Sequence, residues 1–179
     1  MNNAESLTDS LRLSLMSRPS KTLITAIATE AIADKMLLDA LLSLMCNEED
    51  SLRWRAAWAL EKVASQCPSL LIDERPRMKA LAMQDDTPDG LCRLTLGILY
   101  HLPDDEVFDV AFFNFLLDVM LSLQSPPGVQ SLTMKLAYRQ SKSDSDLHKE
   151  FLSIVHNMKF DYYSAGVRSV AKKCLEGKL

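Results

Sequence analysis

Little in this 179-residue sequence interrupts a helix: it has five glycines and seven prolines. β-Branched alternation is sparse while Leu, Ala, Met, Lys and Glu recur, which disfavours turn-rich β classes and points to an all-helical chain. Clustered cysteine is also missing. Cys46, Cys67, Cys92 and Cys174 form no Cys-x-x-Cys pair, so neither they nor the three scattered histidines offer a zinc set, and the thiols are expected to be free and buried. Positive charge is not in excess: the formal net charge is −4, which argues against a partner made chiefly of phosphates, because that affinity comes from neutralising them with Lys and Arg. Apolar runs such as Met36 to Met45 are too short and interrupted to span a bilayer, and Met1-Asn2-Asn3-Ala4-Glu5 lacks the basic start of a secretory signal. A cytoplasmic location is the default expectation. No Gly-rich phosphate loop, nucleophile elbow or metalloprotease helix is present, and no cofactor or metal is expected.

What the sequence does hold is a spacing. Gly90, Gly128 and Gly166 fall 38 residues apart, and Leu52-Arg53-Trp54-Arg55 lies one step earlier in the same register. Apolar columns repeat with them: Ala56/Leu94/Leu132/Val170, Leu60/Ile98/Leu136/Cys174, and the small residues Ala57/Thr95/Thr133/Ala171. These define one buried stripe per helix. A first helix in each unit repeats too, through Ala40/Met78/Leu116/Ile154 and Leu44/Ala82/Met120/Met158. A recurring block of this length marks stacked helix pairs, each needing a neighbour to bury its apolar face.

The expected fold is an all-α, right-handed α-α superhelix of about five antiparallel pairs in a single domain, 1–179. An irregular capping pair covers about 1–33, with helices near Ala4–Met16 and Lys21–Ala33, and 38-residue repeats cover about 34–179. Thr87-Pro88-Asp89-Gly90 and Ser125-Pro126-Pro127-Gly128 read as helix starts with a hydroxyl N-cap and proline at the first helical position, and Ser164 reads as the cap of the last unit. The acids of Asp85-Asp86, Asp104-Asp105-Glu106 and Asp144-Ser145-Asp146 read as helix-start residues rather than catalytic groups. The repeated glycines suggest close approach of a neighbouring repeat.

Ser51-Leu52-Arg53-Trp54-Arg55-Ala56-Ala57-Trp58-Ala59-Leu60 resembles the second helix of a HEAT repeat, with Arg before two small residues and a Leu three further on. Arg93-Leu94-Thr95-Leu96-Gly97-Ile98 is a looser copy. The resemblance implies an acid before the helix paired with that Arg, for which Glu49 with Arg55 is the one instance. It also implies that the second helices line a concave face.

Arg53, Trp54, Arg55 and Trp58 then form a candidate hot spot, since Trp and Arg are enriched among residues that dominate binding energy. The packing alternative is that the tryptophans wedge between repeats. In the same register Lys62, Tyr100, Tyr138 and the nearby Arg93 and Lys135 would add an aromatic and basic groove. The leading reading is a non-enzymatic scaffold that binds a protein or peptide partner on this face, with self-association if an apolar flank stays exposed. Two other readings follow from resemblance: alkylpurine DNA glycosylases, which are HEAT-like stacks with a basic concave face, and bilin lyases, whose units share an Ala-Ala-x-Ala-Leu core like Ala56-Ala57-Trp58-Ala59-Leu60.

Overall fold

The helical periodicity becomes ten α-helices in the computed structural model, which describes residues 3–17, 20–47, 50–104 and 107–179. In chain order they are α1 (Asn3–Met16), α2 (Lys21–Ala33), α3 (Lys35–Asn47), α4 (Asp50–Gln66), α5 (Arg75–Ala82), α6 (Asp89–His101), α7 (Val110–Leu121), α8 (Pro127–Ser141), α9 (Ser145–His156) and α10 (Ala165–Leu175). Two single turns of 3-10 helix, Pro68–Leu71 and Phe160–Tyr162, precede α5 and α10. No strand occurs among the described residues.

The helices gather into two compact units, one running to Leu102 and the other from Pro103. In the first, α4 is the hub: it packs on α2, α3 and α6, while α1 packs on α3 and α5 on α6. In the second, α7, α9 and α10 all pack on α8. Second helices of successive pairs are therefore neighbours within each unit, α2 with α4, α4 with α6, and α8 with α10. This is the stacking expected of helical repeats.

Burial follows the 38-residue columns. Ala56, Leu60, Leu94 and Ile98 are fully buried, as are Ala57, Thr95, Thr133 and Ala171. Thr95 and Thr133 fit a column otherwise held by alanine because each hydroxyl donates back to the carbonyl of its own helix, to Leu91 at 2.9 Å and to Val129 at 3.1 Å. Both buried hydroxyls thereby find an acceptor, and the added methyl fills space. Two columns slip: Leu132 and Ile154 are only half-buried, and on α9 the burial is carried by Phe151 and Val155.

The ends of the helices differ in part from the expectation. Ser20, Asp109, Asp144 and Ser164 act as N-caps through their side chains. Thr87 and Ser125 do not. Pro88 and Pro126 are themselves the N-caps of α6 and α8, without side-chain capping bonds. Instead the Thr87 hydroxyl donates to the Leu81 carbonyl at 2.7 Å, finishing the helix before it. Asp85 and Asp86 sit in the intervening turn rather than at a helix start, and Asp104 pairs with Arg139. Asp105 and Glu106 lie outside the described residues.

Leu60 sits at the hub with no solvent exposure. Replacing it with alanine leaves a cavity between helices already packed on three sides, so Leu60→Ala is expected to lower unfolding free energy by about 2–5 kcal/mol. Urea denaturation followed by circular dichroism measures this. A loss under about 1 kcal/mol would show that α4 is not the centre of that core.

Candidate functional site

The candidate residues divide between the units: Arg53, Trp54, Arg55, Trp58, Lys62, Arg93 and Tyr100 lie in the first, Lys135 and Tyr138 in the second. On α4, Trp54, Trp58 and Lys62 follow one another at four-residue steps, which places them on one face. All three are half-buried. The two indole rings stand 5.4 Å apart and tilted by 45°, within the range where aromatic pairs attract. Lys62 lies 3.7 Å from the Glu61 carboxylate.

The arginines beside them have structural partners. Arg53 Nε donates to the Met45 carbonyl in the last turn of α3 at 3.2 Å. Arg55 donates to the Leu15 carbonyl in the last turn of α1 and to the Ser17 carbonyl at 3.2 Å. Carbonyls in a final helical turn have no partner within the helix, and a guanidinium both satisfies them and complements the negative end of the helix dipole. These two side chains are thus fastened to the ends of first-row helices.

Trp54 plays both of the roles the sequence allowed. It keeps part of its ring at the surface, yet it also presses on α6: a Cβ placed on Gly90 would come within 3.2 Å of its Cδ1 and 3.3 Å of its Nε1. Seven residues further along both helices, a Cβ on Gly97 would meet Glu61 Oε1 at 3.2 Å. Glycine at these two points lets α4 and α6 approach closely. The close-approach explanation does not extend to Gly166, where only the neighbouring Ser164 hydroxyl comes near, at 3.8 Å. Gly97 lies off the 38-residue step, so the repeat gave no sign of it.

Further along the register the face changes character. Tyr100 is half-buried with its ring 6.2 Å from that of His101, and Arg93 is exposed. In the second unit Lys135 is half-buried, but Tyr138 is 3% exposed and does not line an open groove. Phe151 and His148 of α9 close over its ring at 6.1 and 5.2 Å, and the Lys142 ammonium stands 4.3 Å from the ring centre. His148 is held in turn by the Ser141 hydroxyl, 2.8 Å from its Nδ1. This cluster was missed in the sequence because its members come from two helices. Only the four-residue step from Tyr138 to Lys142 was visible there.

A family model described as a HEAT repeat domain matches residues 11–178. The chain belongs to the HEAT repeat family. No curated protein matches it. HEAT repeats commonly act as scaffolds and mediate protein interactions. The family's acid partner for Arg55 would be Glu49, which lies outside the described residues; within them Arg55 is engaged by the carbonyls of α1 and the turn after it. Among the described residues no helix is long and apolar enough to cross a membrane, and no three His, Cys, Asp or Glu side chains are grouped to hold a metal ion.

The thiols of this HEAT domain are free, and burial opposes nucleophilic chemistry at Cys46, Cys92 and Cys174. Burial pushes Cys92 up to about 11, with Asp89 adding to the shift, and pushes Cys174 up to about 12 against the pull of Lys142 and Lys135. Cys46 is raised as well, chiefly by burial, although Arg77 opposes the shift. A thiol held protonated is a poor nucleophile at neutral pH.

Two outcomes follow for this site. Gly166→Ala should stabilise by about 0.5–1 kcal/mol through helix propensity, whereas Gly90→Ala should gain less or lose, because the Trp54 ring must yield; the Trp emission maximum should shift for Gly90→Ala alone. Equal gains in urea melts with unshifted emission would remove the Gly90–Trp54 contact. The raised thiols also give a pH dependence. Above pH 9, the reference value for both Cys92 and Cys174, the unfolded chain loses protons that the folded chain keeps, so stability present below that point falls as pH rises towards 11 and 12. The double variant Cys92→Ala, Cys174→Ala should flatten the slope of the urea midpoint between pH 9 and 11; an unchanged slope would assign it to other groups.

Proposed function

We propose that this HEAT domain is a non-enzymatic interaction scaffold that holds a protein or peptide partner on the face formed by the second helices α4 and α6 of its first unit. One observation supports the reading above others: Trp54, Trp58 and Lys62 run down α4 half-buried, leaving a strip of indole surface beside a cation. A tilted tryptophan pair in mutual contact that keeps solvent-facing area while its backbone is fixed in the hub helix suits a binding anchor, because little conformational freedom remains to be lost on association. Tyr100, half-buried on the neighbouring α6, offers apolar area with a polar tip in the register of Lys62.

The arrangement weighs against a nucleic-acid face on α4. Arg53 and Arg55 direct donors at protein carbonyls, so their guanidinium groups are partly spent before any phosphate arrives.

Affinity purification from the native cell with the wild type and with Trp58→Ala plus Tyr100→Ala tests the proposal. Both residues retain exposed area, so the variant should fold with an unchanged circular dichroism spectrum while losing a partner that the wild type retains. If the folded variant keeps every partner, the α4–α6 face is not the binding surface.

A further inference from the structure

Charge is not spread evenly over the second unit. With their C-caps, α8 carries Lys135, Arg139 and Lys142, and α10 carries Arg168, Lys172 and Lys173 against the single acid Glu176. The first-row helices of the same unit differ: α7 holds Asp118, and α9 holds Asp146 and Glu150 against Lys149. Asp104 offsets Arg139, but α8 and α10 pack on each other, so their remaining cations reinforce one field. Lys142 and Lys135 stand close enough to α10 for both to act on the Cys174 thiol. In a chain of net charge −4 this is a local reversal of sign.

On α10 the positive field adjoins an apolar hollow. Phe160, Arg168, Lys172, Leu175 and Glu176 line an open pocket of about 430 Å³. Leu175 is 40% exposed there, and the Phe160 ring is half-buried. Arg168 spends part of its guanidinium on a 3.3 Å bond to the Tyr163 carbonyl and keeps its other donors for a ligand, while the Lys172 side chain, 76% exposed, is the chief cation on the rim. The one acid on the rim, Glu176, lies between Lys178 at 2.8 Å and Lys172 at 3.8 Å and is thereby offset.

We propose that this face of α10 is a docking site for an acidic peptide segment, one apolar side chain entering the hollow between Phe160 and Leu175 and flanking carboxylates meeting Arg168 and Lys172. The assignment rests on the reading of the chain as an interaction module and gives that module's partner a chemistry. Charge complementarity selects an anionic occupant, and the hollow selects among anions. A peptide with Leu or Phe beside Glu or Asp matches both the aliphatic and the aromatic lining and the flanking cations, and a single strand that stacks a base on Phe160 is the competing occupant the oligonucleotide probe tests. The α8 and α10 cations speed encounter from a distance, and their pull fades as salt shortens the screening length to about 8 Å at physiological ionic strength.

The test is fluorescence anisotropy on the full chain with a short fluorescein-labelled peptide in which Glu and Asp flank a Leu-Phe pair. Three comparison probes accompany it: the same peptide with Lys for the acids, the acidic peptide with Ser for Leu-Phe, and a single-stranded oligodeoxynucleotide. The expected result is salt-sensitive binding of the first probe alone. Lys172→Glu and the double variant Arg168→Glu, Lys172→Glu should each weaken it, the double by about tenfold or more, and Leu175→Ser should weaken it without changing the salt dependence. Lys172 is exposed and hydrogen-bonds no core group, so that single variant keeps the test open if the double one misfolds. No binding, equal binding of the Ser-substituted peptide, preference for the oligonucleotide, or indifference to Lys172→Glu would each overturn the proposal. If the peptide fails while a partner is still lost through Trp58→Ala plus Tyr100→Ala, the α10 site falls and the scaffold reading stands.

Discussion

The last carbonyls of the first-row helices impose the constraint around which both units are arranged. A helix buried at its C-terminal end leaves acceptors that must find donors elsewhere, and here the donors come from the elements that follow. Arg55 serves α1, Arg53 serves α3 and Thr87 serves α5. In the second unit Gln130 Nε2 donates to the Ser122 carbonyl just past α7 at 2.7 Å, and the Tyr163 hydroxyl donates to Leu121 at 2.9 Å. Each bond ties the end of one helix to a side chain on another element, so packing and hydrogen bonding fix the same neighbours.

That shared task explains how the HEAT pattern fades along the chain without the architecture failing. The family-like arginine is present at Arg55 and Arg93, and its register passes to Ser131 and Ser169. The position before it takes over part of the work: Cys92 reaches the Ala82 carbonyl at 3.8 Å and Gln130 reaches Ser122. A carbonyl needs a donor within reach rather than a particular residue, which lets thiol and amide succeed one another at a single register position. The apolar columns have less latitude, since they must fill a fixed gap between helices at interior density.

Reading the sequence alone placed the helices well because their signals are local or periodic. The buried columns through Ala56 and Leu60 recur every 38 residues, and the break before Ser20 carries its own capping hydroxyl. At Thr87 and Ser125 a hydroxyl before proline has the local pattern of an N-cap, yet Pro88 and Pro126 hold that position. The Thr87 hydroxyl turns instead to the unpaired Leu81 carbonyl behind it, a partner supplied by the helix just ended. Tyr138 departs from its pattern for a different reason. Its register matches that of half-buried Tyr100, but α9 brings Phe151 and His148 over its ring.

Period, helix content and the small-residue columns were determined by the sequence itself, since each depends on residues a few turns apart or on exact repetition. Only the tertiary structure decided which members of a register face solvent and which partner a polar side chain takes. Trp54 shows the division most clearly: its place on the face of α4 is set by four-residue spacing, while its contact with Gly90 depends on how closely α6 approaches. That distance is set by the sum of side chains across the interface, a property of two helices together that neither one carries in its own sequence.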